Sequence, residues 1–89
     1  MTSLTEPEFW KRYRALPLDV RRRADRAYAR WLADPFHRPL MFKELRGKPG
    51  VWSVRLGGGY RAAGHRRGDR MLWEFIGSHP EYEEWLKRA

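Results

Sequence analysis

The spacing of apolar residues changes once along the chain, and this change limits the fold more than any other feature of the sequence. Before Pro35 the apolar residues recur at helical intervals, as on one side of an amphipathic helix. After Gly50 they alternate with polar residues, as in a strand that has one buried face. Helices followed by strands predict an α+β domain in which the helices cover one face of the sheet.

Two helices are predicted in the first part of the chain. Thr5 and Glu8 have the spacing of a capping box, so we expect the first helix to begin there and to end at the Leu16-Pro17 step. The second helix is expected over residues 18–33, where arginines fill the side opposite the apolar stripe. Because the joint between the helices is short, they should form an antiparallel hairpin.

Three antiparallel strands, joined by glycine-containing turns, are predicted in the second part, before a last short helix. The expected ranges are 51–56, 60–65 and 71–76 for the strands and 80–87 for the helix, with a short extended piece at 41–45. With the helix pair on one face of the sheet, the other face should be open. A chain of 89 residues is long enough for one core, so residues 1–89 should form a single domain.

The positive charge is large and unevenly placed. Nineteen Lys and Arg residues against eleven Asp and Glu residues give a net charge of +8, and residues 38–70 carry nine cations against two anions. Most of the cations are arginines, which suit planar contacts with phosphate and stacking on bases. We therefore expect this part of the chain to bind RNA. Outside the candidate catalytic group below, the expected RNA-binding residues are Arg46, Lys48, His65, Arg66, Arg67 and Arg70.

Several classes of site are not predicted. The chain has no cysteine, its three histidines are far apart in sequence, and the glycine run at 57–59 lacks the spacing of a dinucleotide-binding loop. We therefore expect neither a metal nor another cofactor. The N-terminus lacks the pattern of a signal peptide, and no stretch has the ~20 apolar residues of a membrane span. The expected location is the cytoplasm, with no membrane partner.

Arg55 and Arg61 flank the glycine run. If the three glycines form a three-residue loop, Leu56 pairs with Tyr60, and Arg55 lies opposite Arg61 on one face of the sheet. Like charges in that arrangement repel unless an anion lies between them, so the pair predicts a phosphate clamp. A two-residue loop would instead put the two arginines on opposite faces. The alternative to a clamp is two solvated strand arginines.

The turn after the last strand contains His79 and Tyr82, and both side chains can move protons. Cleavage of RNA by its own 2′-hydroxyl needs a base for that proton, an acid for the leaving 5′-oxygen and cations near the phosphoryl oxygens. His79 and Tyr82 are the candidate proton carriers, with Arg55, Arg61 and Lys43 as the cations. The alternative for His79 alone is a surface or capping residue.

Taken in order, several short motifs resemble the RelE/ParE superfamily of toxins from bacterial type II toxin–antitoxin modules. They are Trp31-Leu32-Ala33-Asp34-Pro35, Phe42-Lys43-Glu44-Leu45, Trp52-Ser53-Val54-Arg55, Gly59-Tyr60-Arg61-Ala62 and Gly77-Ser78-His79-Pro80-Glu81-Tyr82. The resemblance extends over nearly the whole chain. It implies two N-terminal helices packed on a small curved antiparallel sheet. The strand that usually precedes the helix pair is shortened to residues 2–4 here, or missing.

The resemblance also implies a function. RelE-like members cut messenger RNA on the ribosome without a metal, and Lys43, Arg55, Arg61, His79 and Tyr82 match the basic and C-terminal residues that such toxins use. It further implies a cognate antitoxin that wraps the toxin and covers or distorts that surface. The leading hypothesis is therefore a ribosome-dependent endoribonuclease. The alternatives are a ParE-like poison of DNA gyrase without nuclease activity and a non-catalytic RNA-binding domain.

Overall fold

The computed structural model describes residues 1–89, which form three α-helices and one five-stranded sheet. The strands are β1 (Thr2–Thr5), β2 (Lys43–Glu44), β3 (Val51–Gly57), β4 (Tyr60–Arg67) and β5 (Arg70–Ser78), and the helices are α1 (Pro7–Arg14), α2 (Leu18–Ala33) and α3 (His79–Leu86). A single 3₁₀ turn lies at Arg38–Leu40. The strand order across the sheet is β1-β5-β4-β3-β2. The α+β class is confirmed.

The first strand is present, and it changes two expectations. β1 pairs with β5 in parallel, so the sheet is mixed rather than purely antiparallel. The backbone N–H of Glu6 donates to the carbonyl of Trp73 at 2.9 Å, and this keeps the chain extended until Pro7. Because Thr5 belongs to the strand, the predicted capping box with Glu8 does not form. The Thr5 hydroxyl instead accepts a hydrogen bond from the Trp10 indole at 2.9 Å.

α2 covers one face of the sheet, and its range agrees with the predicted residues 18–33. It buries Val20, Ala24 and Trp31. The Trp31 ring meets Phe42 and Trp73 edge to face, with centroids 5.6 Å and 5.2 Å away. Such aromatic pairs add to the free energy gained by burying the rings. We call this covered side of the sheet the helix-pair face.

The opposite face of the sheet, which we call the α3 face, is only partly open. α3 packs on it through Tyr82, which contacts Ala63 and Phe75 in a second, smaller apolar cluster. The expectation of an open second face was therefore wrong for this part of the sheet, because α3 carries apolar side chains that need cover. Arg55 and Lys43 lie beyond α3 and are exposed.

The remaining differences concern the ends of elements. β4 and β5 run to the tight turn at residues 68–69, so both are longer than predicted. α1 ends at Arg14 rather than at the Leu16-Pro17 step. The short extended piece expected at 41–45 is β2, which has only two residues, and α3 starts one residue before Pro80. Strand pairing and caps, more than local propensity, set these boundaries.

None of the three helices has both the length and the apolar character needed to cross a bilayer.

β4 and β5 approach each other closely at Gly64, and a substitution there tests this packing. The strand register shifts between Ala63 and Gly64, and a Cβ at Gly64 would lie 1.8 Å from the carbonyl oxygen of Leu72. We expect Gly64→Ala to lower the free energy of unfolding by about 2–3 kcal/mol, since backbone must move to admit the methyl group. Urea denaturation followed by circular dichroism measures the change.

Gly68→Ala provides the control for this prediction. Gly68 has open space where a Cβ would lie but a φ of +58°, so an alanine there adds backbone strain of about 1 kcal/mol without a clash. Equal losses of stability in the two variants would contradict the described packing of β4 on β5.

Candidate functional site

Three cations share the α3 face because of the strand register. Arg55 of β3 lies directly opposite Arg61 of β4, as predicted, and the next pair on the same face is Ser53 with Ala63. Lys43 of β2 is the partner of Ser53, so it also faces this side. Alternation along each strand puts these side chains away from the buried helix-pair face. The register thus gathers Lys43, Arg55 and Arg61 on one surface.

The hairpin between β3 and β4 reaches this register in an unexpected way. Its turn has only two residues, Gly58 and Gly59, and Gly57 rather than Leu56 pairs with Tyr60. A bulge at Leu56 adds one residue to β3 and returns Arg55 to the face of Arg61. The prediction of a three-residue loop with a Leu56–Tyr60 pair was wrong, although its consequence for the two arginines is confirmed.

Glycine is required at this turn. Residues 57, 58 and 59 all have positive φ, which other residues adopt only with strain. The Arg23 guanidinium of α2 donates a hydrogen bond to the Gly57 carbonyl at 3.2 Å, and a side chain at Gly58 would displace it. The hairpin tip is therefore fixed to the helix pair from the other side of the sheet.

α3 carries His79 to the same hairpin tip. Ser78 caps the helix and forms a capping box with Glu81, so His79 is the first helical residue. The His79 backbone N–H donates to the Gly59 carbonyl at 2.8 Å, which joins the helix start to the turn. The His79 side chain is 52% exposed, and its Nε2 lies 2.8 Å from a carboxylate oxygen of Glu83. The imidazole is thus held at the surface beside the two arginines' hairpin.

Tyr82 is a residue of α3 whose side chain is buried, and its ring lies near both His79 and Arg61. Its ring centroid is 6.1 Å from that of His79, and the Arg61 guanidinium carbon is 5.6 Å from it, within the range of a cation–π contact. Tyr82 is only 4% exposed, and its hydroxyl is buried without a hydrogen-bond partner. In this structure the phenol supports the other two side chains and is closed to a substrate.

The six other predicted RNA-binding residues are dispersed. His65 lies on the α3 face, where its Nδ1 contacts the Glu74 carboxylate and its ring lies beside Trp85.

Arg46 and Lys48 are in the loop between β2 and β3, and Lys48 donates to the Ala89 carbonyl at 3.3 Å. Arg67 and Arg70 face each other, exposed, at the turn between β4 and β5. Arg46, Lys48, Arg67 and Arg70 thus lie at the end of the sheet opposite the hairpin that carries Arg55 and Arg61.

Arg66 differs from the others because it lies on the helix-pair face. Its guanidinium carbon is 4.5 Å from the centroid of a Trp52 ring and 5.7 Å from that of Phe36. Its Nε donates to the Gly68 carbonyl at 2.9 Å. The structure separates Arg66 from Arg55 and Arg61, and it occupies the guanidinium with packing contacts.

Sequence reasoning missed two contacts, one within α3 and one at the apolar cluster against which α3 packs. Glu83 contacts His79 at the i, i+4 spacing of a helix, but the predicted helix began at Pro80 and excluded the histidine. Arg12 of α1 reaches around the sheet edge to Phe75, with its guanidinium carbon 4.9 Å from the ring centroid. No local sequence signal marks Arg12, because the contact joins residues far apart in the chain. No three His, Asp or Glu side chains come together as a metal-binding group.

The fold is similar to that of RelE-type toxins of known structure. A RelB–RelE antitoxin–toxin complex from Methanococcus jannaschii matches with a TM-score of 0.75 and 17% identity, over 93% of this chain and 98% of that chain. The isolated Escherichia coli RelE toxin matches with a TM-score of 0.68 and 22% identity, over 98% and 96% of the two chains. A YoeB/ParE toxin from Agrobacterium tumefaciens matches with a TM-score of 0.69 and 18% identity, over 89% and 99%. The shared fold is RelE-like.

The sequence places the chain within a family. The pattern of the ParE-like toxin domain matches residues 18–84, from the start of α2 into α3. This protein therefore belongs to the ParE-like toxin domain family, and the resemblance to the RelE/ParE superfamily is confirmed. No curated protein matches the sequence significantly.

The capping box that positions His79 should show in the pH dependence of stability. The pKa of Glu81 is lowered chiefly because its carboxylate accepts a hydrogen bond from the Ser78 backbone N–H, and also from the Ser78 hydroxyl. The resulting stabilisation is present above the ordinary carboxylate pKa and is lost as the pH falls through the lowered value. Glutamine can keep the hydrogen bonds but not the charge, so we expect Glu81→Gln to cost about 0.5–1 kcal/mol at pH 7 and almost nothing in strong acid, measured by urea denaturation.

Glu84→Gln is the matched control for this measurement. Glu84 is an exposed residue of the same helix and pairs only with Lys87. Its replacement should therefore change the free energy of unfolding by no more than about 0.5 kcal/mol. A difference between wild type and Glu81→Gln that stays constant from neutral to acid pH would contradict the charged cap.

Proposed function

We propose that this chain is the toxin of a type II toxin–antitoxin module and that it acts as an endoribonuclease on messenger RNA at the ribosome. The observation that supports the nuclease is the juxtaposition of Arg55, Arg61 and His79 on the α3 face. The two arginines are cross-strand partners, and the backbone N–H of His79 forms a hydrogen bond with the hairpin that carries both of them. A phosphate between the guanidinium groups would relieve their repulsion.

The chemistry follows from the roles these groups can take. His79 accepts the proton of the 2′-hydroxyl while the 2′-oxygen forms a bond to phosphorus. The bond from phosphorus to the 5′-oxygen breaks, and that oxygen takes a proton from solvent. Arg55 and Arg61 stabilise the charge that develops on the phosphoryl oxygens, and Lys43 adds a third cation at the β2 side. The products are a 2′,3′-cyclic phosphate and a 5′-hydroxyl.

Tyr82 has a supporting role in this proposal. Its buried hydroxyl has no route to a substrate in the described conformation, whereas its ring contacts the Arg61 guanidinium and lies near His79. Packing that fixes an arginine and a histidine reduces the entropy lost when the transition state forms. The exposed side chains of Arg46, Lys48, Arg67 and Arg70, together with His65, extend the surface along which ribosomal and messenger RNA would lie.

An antitoxin is the second proposed partner. The RelE chains of the Methanococcus jannaschii and Escherichia coli complexes are bound to RelB antitoxins, and their fold is shared by this chain. A net charge of +8 favours an acidic segment of such a partner. Such a segment would compete with RNA wherever it covers the surface of Arg55 and Arg61, which gives inhibition a direct electrostatic basis.

The nuclease proposal predicts a specific loss of cleavage. Removal of a general base typically lowers a rate by about 10²- to 10⁴-fold, so induced His79→Ala should leave transcripts uncut where wild type produces new 5′ ends. Primer extension on total RNA after induction maps those ends. His37→Ala is the control, because His37 lies in the loop after α2, away from the α3 face, and it should cleave as wild type does.

Unchanged transcript ends in the His79→Ala strain would remove the histidine from the mechanism. Intact transcripts with wild type, together with DNA damage signalling, would contradict the nuclease and favour a gyrase poison. Tight salt-dependent RNA binding without any cleavage on translating ribosomes would favour a binding domain.

A further inference from the structure

We infer that a cavity on the helix-pair face binds a methylated ammonium group. The cavity has a volume of about 180 Å³ and lies between the helix pair, β1 and the sheet. Its lining contains six aromatic side chains, which we call the aromatic cage: Phe9, Trp10, Tyr13, Tyr28, Trp31 and Trp73. Asp25 is the only charged residue of the lining. The sheet separates this cavity from Arg55 and Arg61, so the inference is independent of the proposed function.

Hydrogen bonds within the protein hold several rings of the cage in place. The Tyr28 hydroxyl and the Trp73 indole N–H both donate to Ser3 Oγ, at 3.0 Å and 3.1 Å. The Trp10 indole N–H donates to the hydroxyl of Thr5. Because the polar ends of these rings are bonded to β1, it is their hydrocarbon surfaces that remain for a ligand. The cage is therefore formed in advance, and a ligand does not have to order it.

The rings of the cage lie in several planes. Phe9 and Trp10 meet edge to face with centroids 5.3 Å apart, and Trp10 meets Tyr13 in the same way at 5.5 Å. On α2, Tyr28 is stacked on Trp31 at 6.1 Å. A cation is attracted to the negative face of an aromatic ring within ~6 Å, and several rings around one space can act on it together. Trp10 and Tyr28 are 44% and 43% exposed, so a ligand can enter beside them.

Asp25 gives the cavity a negative charge. Its Oδ1 accepts a hydrogen bond from the Tyr13 hydroxyl at 2.7 Å, and it forms no ion pair although α2 carries five arginines. The pKa of Tyr13 is raised chiefly by this hydrogen bond, and burial and the charge of Asp25 add to the effect. The charge of Arg21 acts in the opposite direction and more weakly. Asp25 thus outweighs Arg21 at the Tyr13 hydroxyl.

These properties favour a methylated ammonium group over a primary one. A primary ammonium has three N–H donors that need acceptors, and Ser3 already accepts two hydrogen bonds. A trimethylammonium group has no donor. Its methyl groups suit an apolar wall, and its charge is met by the ring faces and by Asp25. A cavity of ~150 Å³ holds a molecule of the size of benzene, so this cavity has room for the group. Free small molecules and methylated lysine side chains both carry it.

Choline and 3,3-dimethylbutan-1-ol test the inference, because they have the same shape and differ in charge. We expect choline to bind about 10-fold more tightly in isothermal titration calorimetry, since only choline interacts with the ring faces and Asp25 as a cation. In NMR spectra choline should shift the indole N–H signals of Trp10 and Trp73. Equal affinities for the two compounds, or choline shifts that fall outside the cage, would overturn the inference.

Asp25→Asn removes the charge and keeps an oxygen that can accept the hydrogen bond from Tyr13. It should weaken choline binding about fivefold and leave binding of the alcohol unchanged. Asp19→Asn is the matched control, because Asp19 is an exposed acidic residue of the same helix outside the cavity lining. Equal choline affinities in the two variants would contradict the role of Asp25 and with it the cation site.

Trp10→Leu keeps an apolar side chain at the mouth of the cavity but removes a ring face. It should weaken binding of choline more than binding of the alcohol, and equal weakening of both would contradict the cage. A short neutral peptide with one trimethyllysine then distinguishes the two sources of the group. Tighter binding of the peptide than of choline would assign the ammonium to a protein side chain, and weaker binding would assign it to a free small molecule. None of these measurements depends on RNA cleavage.

Discussion

The burial of Trp31 between α2 and the sheet is the interaction on which the rest of the structure depends. The indole is only 2% exposed and contacts Phe42 and Trp73, so it joins the helix pair to β5 and to the segment before β2. Once this face of the sheet is buried, alternation along the strands forces Arg55 and Arg61 to the other face. The arrangement of the site is therefore a consequence of how the core packs.

Electrostatic repulsion has been left unrelieved at the centre of the site. Arg55 and Arg61 oppose each other across two strands, and neither forms an ion pair with an acidic side chain. A protein that needed only stability would gain from replacing one of them with a neutral residue. Structures that keep such local conflicts often do so where a ligand binds, since the ligand resolves the conflict. The tip of the β3–β4 hairpin is hydrogen-bonded to α2 through Arg23 and to α3 through His79. These bonds fix the backbone next to the two arginines.

The sequence predicted the α+β class, the range of α2 and the shared face of Arg55 and Arg61, because these follow from periodic patterns within short segments. It did not predict the route by which the arginines meet, since a bulge at Leu56 and a two-residue turn give the same outcome as the expected three-residue loop. Thr5 has the local sequence pattern of a helix cap, but it belongs to β1 and pairs with β5 instead.

The candidate site was also predictable only where local sequence determines it, because long-range contacts decide the rest. His79 and Tyr82 were predicted as candidates from one short motif, but their different exposure depends on how α3 packs against Phe75. Arg66 could not be separated from its neighbours by charge alone, since only the strand alternation and the rings of Trp52 and Phe36 place it on the helix-pair face. Glu83 was missed because the helix start was placed one residue late.

The central claim is that a phosphodiester binds on the α3 face, between the hairpin arginines and the start of α3. NMR chemical-shift mapping with an oligonucleotide whose 2′-hydroxyl is replaced by hydrogen tests it most directly, because such a strand can bind but cannot be cut. The account predicts that the largest shifts fall at Lys43, Arg55, Arg61 and His79. Shifts confined to α2 and to the surroundings of Arg66 would contradict it.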